Sequence, residues 1–222
     1  MKRLMVLLLL SALPLFSSAQ LAPEGSFEVV KTKTFDGEKF IFPKGMRGTA
    51  VNVVFLGMSN SQENGQLQQE QLLDWQAALD AEGVFSESIV AYHFPAMSSP
   101  PFFVKGLISN AMAKSYEGKL PMSQAGVLFL DDLAEFAAAA GLPLDDLPTI
   151  VIADANGKPL QVFKGLVSDA GVAELAIAIR AAAGEDHGSR GVRGGHHTGR
   201  CGHPHRSPGT RLCSRRERGP HG

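Results

Sequence analysis

The residues able to do chemistry lie in two places, and neither set is complete. Cys201 and Cys213 are the only two cysteines among 222 residues. They share residues 185–222 with six of the seven histidines, including His196-His197 and Cys201-x-His203-x-His205. Thiolate and imidazole are zinc and copper ligands, but this spacing matches no closed four-ligand site. The second place is the turn Gly57-Met58-Ser59-Asn60-Ser61-Gln62-Glu63-Asn64-Gly65. Ser59 or Ser61 would be a nucleophile and His93 its base, yet nothing in the sequence brings them together, and a nucleophile needs its base within hydrogen-bond reach. Glu63, in a polar helix-start turn, reads as a cap or dipole partner. The helix-start amides would hold an anion, but no glycine-rich phosphate fingerprint accompanies them. The turn holds no cysteine, so neither dithiol exchange nor thiol-based peroxide chemistry is open to it.

Alternating strand and helix patterns surround that turn. Phe27–Val30 and Lys39–Phe42 are short β-like runs flanking the turn signal Phe35-Asp36-Gly37-Glu38. Ala50–Leu56 is almost continuously apolar, as a strand buried on both faces must be. Gln66–Ala81 follows as a helix with Leu72, Trp75 and Leu79 on one stripe, a core pattern, and Glu82-Gly83 stops it. Ile89–Tyr92 is a weaker strand. Pro100-Pro101 opens a helix whose Phe103, Leu107, Ala111 and Val104, Ile108, Met112 make a broad apolar face. Gly126–Leu130 is a second buried strand, and Asp131-Asp132 start a helix bearing Leu133, Phe136, Ala137 and Ala140. Ile150–Ala153 and Leu160–Phe163 form a hairpin around Asn156-Gly157, with Pro159 favouring an edge. Ser168 or Asp169 caps a last helix carrying Val172, Leu175 and Ile179. The order predicts an α/β fold: a central mixed sheet, helices on both faces and an N-terminal β-hairpin extension.

The two ends differ from this body. Residues 1–19 read as a signal peptide: Lys2 and Arg3, the run Leu4–Leu10, then Ser17 and Ala19 before a cut at Gln20. The apolar run is too short to span a bilayer, so no membrane span is expected in the mature chain, and the expected location is periplasmic or extracellular. Residues 20–184 form the domain, long enough for one core. Residues 185–222 are rich in Gly, Arg and His and are expected to be disordered. Of the 21 Lys and Arg, eight lie there, and of the 22 Asp and Glu, three, so an acidic body carries a basic tail. Such a tail suits a nucleic-acid arm, a metal site, or a reading frame lost to a shift. Nucleic acid is not the expected partner, and the tail is left out of the functional reading.

Strand order and punctuation together resemble the thioredoxin-like superfamily, in particular the alkyl hydroperoxide reductase/thiol-specific antioxidant branch and its exported thiol–disulfide relatives. The most specific stretch is Gly126–Gly165: a buried strand ending in Asp, a short helix ending in Gly, Leu147-Pro148-Thr149, a strand, Asp154-x-Asn156-Gly157-Lys158, and a strand. The resemblance implies a cis bond before Pro148, facing the reactive turn. It also puts Asn60-Ser61-Gln62-Glu63 where a CxxC or a peroxidatic cysteine would stand. The layout is similar to two cysteine-free groups as well: exported bacterial thioredoxin-like proteins, and mitochondrial assembly factors for ATP synthase that act as chaperones. The expectation is a non-enzymatic exported domain with no cofactor and no metal, binding a protein or peptide. Its groove would be formed by Ser59, Asn60, Ser61, Gln62, Glu63, Leu147, Pro148 and Thr149. The alternative is a redox accessory using cysteines of the tail or of a partner.

Overall fold

The computed structural model describes residues 23–185. The expected signal peptide and all of the basic tail after Glu185 lie outside the described residues.

The centre is a four-stranded mixed sheet in the order β4 (Ile89–His93), β3 (Val51–Leu56), β7 (Thr149–Asp154), β8 (Pro159–Lys164). β4 runs parallel to β3, while β7 runs antiparallel to both β3 and β8. All six residues of β3 are buried, which is why its sequence shows no alternation. One face of the sheet packs on α1 (Gln62–Ala81) and α4 (Asp169–Ala182), joining Val53, Phe55 and Ile152 to Leu72, Trp75, Leu175 and Ile179. The other face joins Val54, Leu56 and Val151 to Phe42 and to Leu133 and Phe136 of α3 (Leu133–Ala139). This is the mixed sheet with helices on both faces, α/β and thioredoxin-like, that the sequence led us to expect.

Local chemistry fixes the ends of these elements. Asp132 caps α3, accepting from the N–H groups of Ala134 and Glu135 at 2.8 and 3.0 Å, and Ser168 caps α4 by accepting from Gly171. The β7–β8 turn closes through Asp154 Oδ1, which accepts from the Asn156 and Lys158 N–H groups at 2.8 Å. Gly157 sits there at φ +82°, a left-handed conformation that glycine adopts without strain.

Several expectations need correction. The first strand is β1 (Val30–Lys33), three residues later than expected, and it pairs with β2 (Lys39–Phe42) across the anticipated turn. α1 begins at Gln62 rather than Gln66, because Ser61 supplies the cap and the first turn needs no apolar residue. Gly126–Leu130 does not enter the central sheet. Only Leu128–Leu130 is a strand (β6), and it pairs in parallel with a strand the sequence reading missed, β5 (Ala96–Ser98). The cis bond lies at Phe42–Pro43 and not before Pro148. At Pro148 the chain turns earlier: Asp145 Oδ1 accepts from Leu147 N at 2.9 Å, and Lys164 Nζ holds both Asp145 (2.6 Å) and the Pro143 carbonyl (2.9 Å).

α2 (Phe102–Tyr116) departs most from expectation. Its apolar face is not sunk into the body: Tyr116 alone is buried. Phe102, Phe103 and Leu107 are 86, 71 and 74% exposed.

Candidate functional site

The turn Gly57–Gly65 stands at the end of β3, beside β7, with Leu56 opposite Thr149 in the ladder. Its own polar groups build it. The Ser59 hydroxyl accepts from Ser61 N and donates to Ser61 O, both at 3.0 Å, while the Ser61 hydroxyl accepts from Asn64 N at 3.4 Å. Gln68, one turn into α1, clamps the backbone of Met58: its Oε1 accepts from Met58 N and its Nε2 donates to Met58 O, each at 3.0 Å. That side-chain amide replaces a neighbouring strand at a point where the sheet has ended. Asn64 Nδ2 donates to the Asp146 carbonyl at 3.2 Å, and Ser98 Oγ to Asn60 Oδ1 at 3.2 Å. The turn is therefore tied to the proline segment on one side and to β5 on the other.

A cavity of about 470 Å³ opens on the β5 side, between the turn, the start of α1 and α2. Ser59, Asn60, Ser61 and Gln62 line it, as expected of binding residues. Glu63, Leu147, Pro148 and Thr149 do not. Glu63 is exposed, Pro148 and Thr149 are buried, and Leu147 is exposed on the opposite flank of the turn. Three walls went unread in the sequence: Gln66 and Gln69 of α1, Met97 and Ser98 of β5, and Ile108, Ala111 and Met112 of α2. Gln62, Gln66 and Gln69 fall at i, i+4 and i+7, a helical stripe whose polarity hid its facing role. No lining residue is ionisable.

The opposite flank carries four exposed leucines. Leu67 lies on α1 between Asn64, bonded to Asp146 O, and Gln71, whose Oε1 accepts from Val167 N at 3.3 Å. Leu144, Leu147 and Leu166 are exposed in the two loops these bonds hold.

The structure does not assemble a serine hydrolase. Ser59 and Ser61 are spent on the turn, while His93 is buried beside Phe55 and bonds Gln76, not either serine. Its ring stacks on Phe55 at 4.4 Å and meets Tyr116 edge-on at 5.6 Å. Nε2 bonds Gln76 Oε1, and Nδ1 has no partner among the described residues. Burial pulls the His93 pKa down to about 3 and pushes the Tyr116 phenol up. Both groups are neutral at pH 7. No cluster of three His, Cys, Asp or Glu side chains suited to a metal occurs among the described residues, and the His/Cys groups of the tail lie outside them. No helix among those residues is long and apolar enough to cross a membrane.

No protein-family model and no curated protein matches the sequence. Solved structures with similar folds include yeast Sco1 with copper bound (12% identity, covering 71% of this chain and 94% of that one, TM-score 0.49). Another is a SCO1/SenC family lipoprotein from Bacillus anthracis (14%, 73% and 97%, 0.48). A third is the thioredoxin domain of a thiol–disulfide oxidoreductase from Bacteroides vulgatus (15%, 72% and 99%, 0.44). These are likenesses of fold alone.

Proposed function

We propose that this chain is an exported, non-redox thioredoxin-like domain that binds a segment of another protein across its cysteine-free turn, in an assembly or chaperone-like role. The observation that carries the reading is the setting of the turn. Ser59–Gln62 form the wall of a cavity, and apolar side chains stand exposed on both sides: Leu67, Leu144, Leu147 and Leu166 on one, Phe102, Phe103 and Leu107 on the other. Exposed apolar surface concentrated around a concavity is a common mark of a recognition site. The turn offers hydroxyls and amides and no thiol, so it recognises without reacting. Of the segment Leu147-Pro148-Thr149, Leu147 contributes an exposed apolar side chain beside Asp146, whose carbonyl holds the turn; none of the three lines the cavity.

The test is calorimetric titration of the full chain with a capped, uncharged peptide rich in Leu and Met. The expected result is saturable binding that weakens in both Leu147→Ser and Phe103→Ser, since each removes apolar contact on one flank. Binding unaffected by either substitution would refute the reading.

A further inference from the structure

We infer that the cavity beside α2 is an anchor pocket for one uncharged, apolar side chain of the bound segment, with Gln69 reading the segment's backbone beside it; this rests on the binding role proposed above. The first ground is the lining. Serine hydroxyls and the amides of Asn60, Gln62, Gln66 and Gln69 form one wall, Met97, Ile108 and Met112 the other, and no charge faces inward. A Lys, Arg, Asp or Glu placed there would meet hydroxyls and amides but no opposite charge to offset its lost hydration. A methionine or leucine would instead meet methionine and isoleucine, and thioether side chains adapt to irregular apolar partners.

The second ground is Gln69. It is 8% exposed, lines the cavity, and has no hydrogen-bond partner among the described residues. Its neighbour Gln68, also buried, has both amide atoms engaged by the backbone of Met58. The Gln69 amide atoms are not among the buried, unpartnered polar atoms, so they reach the open side of the residue and are accessible to a ligand. A donor and an acceptor on a residue that lines the cavity match the N–H and C=O of a peptide unit, the pairing that Gln68 already makes with Met58. The third ground is extent. The apolar surface continues from Ile108 and Met112 onto exposed Phe103 and Leu107, further than a small molecule filling about 470 Å³ would cover. A chain with an anchor and flanking residues fits that surface.

The experiment is a nuclear magnetic resonance titration of the isotope-labelled full chain with two capped heptapeptides, Gly-Ser-Leu-Met-Leu-Ser-Gly and the same sequence with Lys for Met. The uncharged peptide should shift the Gln69 side-chain amide and the backbone peaks of Ala111 and Met112, and the Lys peptide should bind at least tenfold more weakly. Gln69→Leu should keep the fold by circular dichroism and lose about threefold to tenfold in affinity. Should that variant not fold, Met112→Ala, on the half-exposed helix, should weaken the uncharged peptide selectively. If both peptides bind equally at these peaks, or if peaks of the turn move while those of Gln69, Ala111 and Met112 stay, the anchor pocket is refuted and the wider binding role stands. If no peptide moves the turn, the wider role falls and the pocket with it. Concentration-dependent broadening of the same peaks without peptide would give the cavity to a second copy of the chain and overturn the proposal.

Discussion

Acid should unfold this protein through one residue. His93 is fully buried, wedged between Phe55 and Tyr116, and held neutral with a pKa of about 3 against 6.5 when exposed. Between these values the unfolded chain binds a proton that the folded chain does not. Stability therefore rises with pH across this window and is fully present only above about pH 6.5. For a shift of this size, the loss on going from pH 7.5 to 5 is about 2 kcal/mol, and it grows to between 4 and 5 kcal/mol, roughly, near pH 3. The assay is urea unfolding followed by Trp75 fluorescence at pH 7.5, 6 and 5, comparing the native chain with His93→Phe. The substituted ring keeps the stack on Phe55 and cannot be protonated, while half-buried Gln76 turns to water. The native midpoint should fall by about 1 M between pH 7.5 and 5, for a urea slope of about 2 kcal/mol/M. The variant should lose much less. Equal midpoints at the two pH values, or an unchanged acid loss in His93→Phe, would refute the burial argument.

Gln68→Leu should destabilise by about 2–4 kcal/mol, because Met58 N–H and C=O both lose their partner in a buried place; the chemical denaturation midpoint reads this directly. Gly171→Ala should cost about 1–3 kcal/mol, since a Cβ there would lie 2.7 Å from the Trp75 ring, and the indole emission should shift with it. Asp132→Ala removes the α3 cap and should cost about 1 kcal/mol in thermal unfolding. The full chain should not reduce insulin disulfides, and Cys201→Ser with Cys213→Ser should leave peptide affinity unchanged; reduction lost in that double variant would restore a thiol role.

The central sheet was legible because its strands are buried on both faces or end in strong turn chemistry. Val51–Leu56 could not be a surface strand, and Asn156-Gly157 could hardly be anything but a turn. The site was legible only on its near wall. Ser59–Gln62 stood out by occupying a reactive turn without a cysteine, whereas Gln66 and Gln69 are polar residues of a helix whose apolar stripe was carried by Leu72, Trp75 and Leu79. Met97 and Ser98 belong to a three-residue strand, too short for any periodicity. Phe103, Leu107, Ile108 and Met112 announced an apolar helix face, but a single sequence does not say whether the fold covers such a face. Here it leaves much of that face bare. Pro148 misled for a different reason: the cis bond expected there came from the resemblance alone, and no residue pattern around Pro148 or Pro43 distinguishes the two.

The most direct test is hydrogen–deuterium exchange of the full chain with and without a saturating uncharged Leu/Met peptide. Bound peptide should slow exchange in residues 57–69 and 102–116 and leave the β7–β8 hairpin unchanged. Protection confined to other segments, or none at saturation, would contradict a binding site at the turn.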